Sequence, residues 1–372
     1  MSSLVTPGTF PVNNLFTDGY KLRERLYGEV ASERIAEIQR EVHDAIEHHT
    51  SPRHLRYLLL KTTNRCNSDC EYCPHAINRV PRETKSSIPH DDLMRIIDEA
   101  AELGVDIISI SGGEPLLRND ICEIVRAMST RRIVPLLLTN GLLLDKLWKP
   151  LGEAGLRYVT ISIDSVDESV YSKQRGASLE QALRGIDAAL RLRDAYPETE
   201  VHVSSVLTRD NESDFMKLLS YMNDRDIKVQ ISPYHQRKDD AENYSIVKRA
   251  EIEDLTARLI DMKRAGAGIA NSMTFLKHLP DFFCSNSIMP RGFVCTAGYV
   301  LLSIDTFLNV KPCWSYMFES LGNLRESSLG DIWFGHELER YRDRMLACRC
   351  EGCWYLCTSE ACAMLAGENE PA

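Results

Sequence analysis

Two hydrophobic periods alternate along most of this 372-residue chain. Short apolar runs of strand length fall at Leu55–Thr62, Asp106–Ser111, Val134–Thr139, Tyr158–Ile163, Val201–Leu207 and Val229–Ser232. Between them, residues 90–103, 119–129, 143–154, 178–195 and 212–224 space their apolar positions at helical intervals. Strands separated by helices predict right-handed βα units around a parallel sheet. Six such units are fewer than the eight that close a full barrel. Ahead of them, residues 31–48 predict a helix, with Ile35, Ile38, Val42, Ala45 and Ile46 on one face, in a preface that otherwise reads as coil. Its histidines, His43, His48, His49 and His54, read as a solvated face. A further helix at 250–265 leads into a cysteine-rich end. The pattern divides the chain into an N-terminal helical extension (1–54), an α/β domain (55–265) and a C-terminal domain (266–372).

Composition narrows the function without naming it. Hydrophobic and charged contents of 44% and 26% describe an ordinary globular protein. A net charge of −10 leaves no basic surplus for nucleic-acid phosphates. No apolar run is long enough to span a bilayer, and the N-terminus lacks the basic and apolar regions of a secretory signal, so neither membrane insertion nor export is expected. The expected compartment is the cytoplasm, where disulfides are disfavoured. Twelve cysteines are then too many for packing alone. Three fall at 66–73, Cys122 stands apart, and eight follow residue 283, five of them within residues 348–362. Metal–sulfur ligation accounts for that crowding.

The first group is the most informative. Cys66, Cys70 and Cys73 in CNSDCEYC are spaced to hold three irons of a 4Fe–4S cube, leaving the fourth with an open position. A zinc site completed by a residue such as His75 is the alternative on spacing alone. The loop follows the first strand directly, at the end where parallel-sheet active sites assemble. The second strand ends in Ser111-Gly112-Gly113-Glu114-Pro115, whose glycines permit close backbone approach and whose carboxylate is a fixed acceptor. CxxxCxxC with an aromatic Tyr72 before its last cysteine, followed one βα unit later by GGEP, resembles the radical S-adenosylmethionine (SAM) superfamily. The resemblance implies a partial (β/α)6 barrel, a SAM-binding 4Fe–4S cluster on the three cysteines, and SAM as cosubstrate. It implies that Gly112, Gly113 and Glu114 meet the methionine amino group. It also points to Asn140 in Thr139-Asn140-Gly141, to Ser162 and Asp164 in ISIDS near the ribose, and to Arg175 in KQRGAS as a partner of the SAM carboxylate. Ser204 and Gln230 are weaker candidates on later strands.

Cys295 and Cys313 flank AGYVLLSIDTFLNVKP, which alternates and turns like a β-hairpin, and a helix and Cys350, Cys353, Cys357 and Cys362 follow. This order resembles the SPASM/twitch extension of the same superfamily, which implies one or two auxiliary 4Fe–4S clusters. The candidate ligands are Cys284, Cys295, Cys313, Cys348, Cys350, Cys353, Cys357 and Cys362. Two clusters are favoured, the first on Cys284, Cys295, Cys313 and one late cysteine. The compressed late spacing departs from the common pattern and leaves open a single twitch-type cluster or a zinc ribbon. Cys122, in an apolar helix pattern, reads first as packing. A radical epimerase needs a hydrogen-donating thiol, and Cys122 and Cys284 are the candidates.

The expected reaction is reductive cleavage of SAM to a 5′-deoxyadenosyl radical that abstracts a substrate hydrogen, with an electron donor such as flavodoxin or ferredoxin. Because the preface is short for a leader-binding domain, the first expectation is oxidation or epimerisation of a hydroxylated small molecule, an aminocyclitol or sugar in natural-product biosynthesis. Modification of a ribosomal precursor peptide or protein side chain is the second, and a non-catalytic iron–sulfur electron carrier the third.

Overall fold

A computed structural model describes residues 14–73, 86–235, 245, 248–285, 295–313, 319–347 and 356–366. The N-terminal extension holds α1 (Leu15–Tyr27) and α2 (Ala31–Glu47). Then come β1 (Tyr57–Thr63), α3 (His90–Glu102), β2 (Ile107–Gly112), α4 (Ile121–Thr130), β3 (Val134–Thr139) and α5 (Leu144–Ala154). The alternation continues through β4 (Tyr158–Ser162), α6 (Glu168–Arg175), α7 (Leu179–Ala195), β5 (Glu200–Leu207), α8 (Phe215–Asn223) and β6 (Lys228–Pro233). Helices α9 (Arg249–Arg264) and α10 (Met273–Ser285) lead to the C-terminal part. That part contains α11 (Ala297–Val300), β7 (Leu301–Ile304), β8 (Asn309–Lys311), β9 (Gly322–Asn323), α12 (Leu329–Trp333), α13 (His336–Leu346) and α14 (Leu356–Ala366).

The strands form one sheet in the order β6-β5-β4-β3-β2-β1-β7-β8-β9, parallel from β6 through β7. The six βα units read from hydrophobic period are present, and the fold is the partial (β/α)6 barrel with a small cysteine-rich C-terminal domain. Alternation decides its two faces. Leu58, Leu60, Ile108, Ile110, Leu137, Val159, Ile161, Val203, Val229 and Ile231 are fully buried under the helical layer. The opposite, lumen face is mixed: Lys61, Ser109, Ser111, Thr160, Ser162, His202, Ser204 and Gln230 share it through the strand register with Tyr57, Leu59, Ile107, Leu136, Leu138 and Tyr158.

Three features depart from the sequence pattern. Helix α1 lies where coil is expected, because LFTDGYKLRERLY carries a glycine and a weak apolar stripe; tertiary burial of Phe16, Tyr20 and Leu22 sets it. Helix α6 occupies a short polar stretch, capped by Asp167, whose carboxylate accepts from Ser169 N and Val170 N. The expected hairpin exists as β7 and β8, preceded by the single helical turn of α11. Alternation cannot choose a strand's partner, and β7 pairs in parallel with β1 rather than standing in a separate sheet.

The N-terminal helices close the end of the barrel where the strands begin. Asp106, at the start of β2, is buried and faces Arg34 at 2.8 Å, Arg23 at 3.3 Å and Arg56 at 3.7 Å. The same helices reach the C-terminal domain. Asn14 caps α1 by accepting from Phe16 N and Thr17 N, while its amide donates to the Glu360 carbonyl and carboxylate at 2.9 Å each. Gln39 donates to the Met364 carbonyl and Trp333 to the Pro52 carbonyl, both at 2.9 Å. Asn14 thus joins chain positions 346 residues apart. Replacing it by Ala is expected to cost about 1–2 kcal/mol of stability, the cost of a lost helix cap. Asn14→Ser, which keeps the cap but not the reach to Glu360, should fall between the two in thermal denaturation. Equal melting temperatures for all three proteins would refute this.

Candidate active site

The loop Cys66–Cys73 has no regular secondary structure, so its shape depends on partners from the neighbouring strand ends. From β2, Gly113 N donates to the Thr63 carbonyl at 2.7 Å and Glu114 N to the Arg65 carbonyl at 2.8 Å. A side chain at either glycine would collide: a Cβ on Gly112 would lie 2.1 Å from the Thr63 carbonyl, and one on Gly113 2.2 Å from that of Arg65. From β3, the Asn140 amide donates to Asn67 Oδ1 at 2.8 Å and Ser68 Oγ at 3.0 Å. From α6, the Gln174 carbonyl accepts from Glu71 N at 3.0 Å, and the Cys70 thiol lies 3.7 Å from the Arg175 carbonyl. From β4, Asp164 accepts a short hydrogen bond from the Tyr72 hydroxyl.

Glu114 is fully buried and ties β2 to β3. Its carboxylate accepts from Leu116 N at 2.9 Å, Thr139 Oγ1 at 2.8 Å and Asn140 N at 2.8 Å. Burial pushes its carboxyl up to about 7, against the pull of those donors. Asp164 is the second buried anchor. Arg175 grips it with two bonds of 2.6 and 2.7 Å, and Val206 N adds a third at 2.8 Å. The Arg175 guanidinium also lies 5.5 Å from the centre of the Tyr72 ring. The residues expected around SAM therefore converge on the cysteine loop: Asn140, Asp164 and Arg175 bond it directly, and Gly113 and Glu114 bond Thr63 and Arg65 just ahead of it. Ser162, half-buried, stands beside Ser204 at the neighbouring strand end. The Tyr72–Asp164 bond and the Asn67 and Ser68 contacts had no sequence signal beyond their place in the motif.

The thiols themselves argue for a metal. Burial pushes Cys66 up to about 11 and Cys70 to about 12, so both stay protonated at neutral pH in the bare protein. A half-buried and a buried thiol beside Cys73, with Arg175 offsetting only part of the desolvation at Cys70, fit a site whose charge is balanced by iron. The glycine backbones pressed against the loop and the Glu114 carboxylate fit the amino-acid end of SAM.

The C-terminal cysteines form a second group. Cys295 and Cys362 are buried neighbours joined by a hydrogen bond, and Thr296 donates to Cys362 Sγ from its N–H and its hydroxyl, each at 3.2 Å. Burial opposes ionisation of Cys362, but these donors outweigh it and lower the thiol's pKa. Cys313 is buried at the end of β8, 3.9 Å from the Tyr341 hydroxyl. Cys357 is half-buried within electrostatic reach of Tyr57. Cys348, Cys350 and Cys353 lie outside the described residues. Cys284, near Arg249 on the α9–α10 pair, is not brought into contact with Cys295 or Cys362 among the described interactions. Cys122 sits on α4, in the layer outside the sheet, within reach of Arg126, Glu123 and Glu153.

Comparison with known proteins agrees with this geometry. The Radical SAM superfamily model matches residues 60–222, and the SPASM iron-sulfur cluster-binding domain matches residues 295–354. A GTP 3′,8-cyclase of Lactiplantibacillus plantarum is 35% identical over 184 residues, 47% of this chain and 52% of that protein. The match thus spans about half the length of that relative. Streptococcus suis SuiB bound to S-adenosylmethionine superposes with a TM-score of 0.63 at 20% identity, covering 85% of this chain and 74% of SuiB. Native anSMEcpe with bound AdoMet and Cp18Cys peptide superposes with a TM-score of 0.59 at 19% identity, covering 79% and 83%. These likenesses establish the shared fold.

Two outcomes follow from the anchors. Asp164→Asn breaks a buried ion pair, a loss of about 3–5 kcal/mol where one partner is left behind. Iron taken up on reconstitution should fall at least twofold; undiminished iron content would show that the loop does not need this anchor. Glu114 should also mark the stability of the iron-free protein. A folded-state pKa raised from 4.5 to about 7 favours folding below the unfolded pKa, and that stabilisation is lost as pH rises through 7. The stability of wild type relative to Glu114→Gln should therefore fall by about 3 kcal/mol between pH 4.5 and 7 and stay level above. A flat difference in chemical denaturation across that range would contradict it.

Proposed function

We propose a reaction for this chain, which belongs to the radical SAM superfamily and carries a SPASM domain: abstraction of a hydrogen atom from a C–H bond of a substrate held in the barrel lumen. The observation that supports it is the convergence of Cys66, Cys70 and Cys73 with Glu114, Asn140 and the Asp164–Arg175 pair at one end of the sheet. Cys66, Cys70 and Cys73 would hold the 4Fe–4S cluster, and cluster and SAM together would supply the hydrogen-abstracting 5′-deoxyadenosyl group. The chain's own contribution is positioning. Asn140 and Asp164 hold the loop, Glu114 orients the amino-acid end of SAM, and the sheet walls exclude water from the reacting carbon. Cys295, Cys313 and Cys362, with late cysteines, would hold at least one auxiliary cluster.

For the substrate, we place a peptide or protein side chain ahead of a hydroxylated small molecule, reversing the order read from sequence. Supporting it are the solved structures of SuiB bound to precursor peptide SuiA and of anSMEcpe with a peptide, both alike in fold over about four-fifths of this chain. The small-molecule reading retains the polar positions of the lumen face and the cyclase relative. Oxidation, epimerisation and bond formation share the first step.

The Cys66→Ala/Cys70→Ala/Cys73→Ala variant should lose about four irons per chain, one cube's content, and all formation of 5′-deoxyadenosine from SAM under reduction. Wild-type protein that releases none would overturn the radical reading in favour of an electron carrier. To separate substrates, extract from the source cells is added and the rise in 5′-deoxyadenosine measured. The peptide reading expects protease treatment of the extract to abolish that rise; a rise that survives protease would restore the small molecule.

A further inference from the structure

Helix α14 is buried from Thr358 through Leu365, so its polar side chains need partners inside the protein. It packs against α1, α2, α10 and α11. Its carboxylate, Glu360, is met from two directions. The Asn14 amide donates to the Glu360 carbonyl and to its carboxylate, at 2.9 Å each, so one side chain of the N-terminal extension fixes both backbone and side chain of that residue. Ser272 N, just ahead of α10, donates to the same carboxylate at 3.0 and 3.2 Å. One turn further on, the Met364 carbonyl accepts from the Gln39 amide of α2 at 2.9 Å. Between these two attachments stands Cys362. Two residues turn a helix by about 200°, so Cys362 leaves the face opposite Glu360. There its sulfur accepts from the N–H and the hydroxyl of Thr296 at 3.2 Å each, and it is hydrogen-bonded to Cys295. Helix α14 is thus gripped on one face and presents a thiol beside Cys295 on the other. Both the grip and the thiol lie outside the segments that the two family models match.

We propose that the N-terminal helices clamp α14 so as to position Cys362 as an auxiliary-cluster ligand, with Asn14 and Gln39 as the positioning residues. This rests on the C-terminal cluster proposed above and gives the N-terminal extension a part in it. Neither residue touches sulfur. Asn14 acts through Glu360, and Gln39 through the backbone of α14 two residues past the thiol. Partners that orient a metal ligand from outside change metal affinity about 10–100-fold when removed. Without the Asn14 amide, the buried Glu360 carboxylate keeps only Ser272 N of these donors, and a shift of α14 relieves that loss. Such a shift also alters the bonds from Thr296 to the sulfur, and hydrogen bonds to sulfur tune a cluster's electronic properties.

Iron chelation and electron paramagnetic resonance of the reconstituted full chain test this without knowledge of the substrate. Asn14→Ser keeps the cap of α1 and loses the reach to Glu360, and Gln39→Ala frees the other end of α14. Each should speed the loss of iron from the C-terminal cysteines to a ferrous chelator at least fivefold. That loss is followed in the Cys66→Ala/Cys70→Ala/Cys73→Ala background, where only the C-terminal iron remains. In the holoprotein, each should change the part of the reduced spectrum that SAM does not shift, while the SAM-responsive part keeps its shape. Trp333→Phe is the control for general loosening, because it breaks the bond to the Pro52 carbonyl between the same two regions but on α12. It should leave both readouts at wild-type values. Wild-type chelation rates and spectra in Asn14→Ser and Gln39→Ala would overturn the proposal, as would an equal effect of Trp333→Phe. Absence of iron from the triple-cysteine background would overturn the auxiliary cluster itself and the clamp with it, which separates the two failures.

Discussion

The active end of this protein depends on docking eight residues of irregular chain, Cys66–Cys73, and the residues just ahead of them against the ends of three strands and one helix. A loop held internally by little more than Cys73 N to the Cys70 carbonyl and Ser68 N to Cys66 Sγ cannot fix three thiols in one geometry by itself, since each fixed residue costs about 1–2 kcal/mol of backbone entropy. The compensation comes from outside the loop. Backbone donors of Gly113 and Glu114 reach Thr63 and Arg65, the Asn140 amide reaches Asn67 and Ser68, and Asp164 accepts from Tyr72. Two of these partners are buried carboxylates with saturated surroundings. Glu114 is fixed by three donors, and Asp164 by Arg175 and Val206. Each strand end therefore holds the loop or braces the residues that do.

Burial links this architecture to metal binding. Cys66 and Cys70 resist ionisation in the bare protein because their desolvation outweighs what opposes it, the charge of Arg175 beside Cys70 included. Iron would supply that charge, so binding of the cluster and ordering of the loop become one equilibrium. The C-terminal group differs. Cys362 already receives hydrogen bonds from Cys295 and Thr296, which prepare it for the thiolate form. The two groups are mechanically joined through the sheet, because β7 lies against β1 and Cys313 follows β8. The N-terminal helices complete the connection by meeting both Asp106 and α14.

Much of this was legible in the chain. The six βα units appear in the hydrophobic period because strands buried on both faces and amphipathic helices leave different spacings. The cysteine loop and Gly112–Glu114 were readable because their chemistry restricts residue types at fixed intervals. What escaped was set by long-range contact. Helix α1 rests on burial and on Asn14 meeting Glu360, and β7 could not be assigned to β1 from alternation alone. Arg175 carried a motif signal, yet its ion pair with Asp164 depends on α6 folding back over β4.

The central claim is that three protein thiolates hold a cluster with one iron open to SAM. Electron paramagnetic resonance of the reduced holoprotein, recorded before and after adding SAM, tests it most directly. The account predicts that SAM changes the spectrum of one cluster saturably, one equivalent per chain, while signals from the C-terminal cysteines stay as they were. A spectrum unaltered by SAM at any concentration would mean a cluster closed by a fourth protein ligand and would contradict the account.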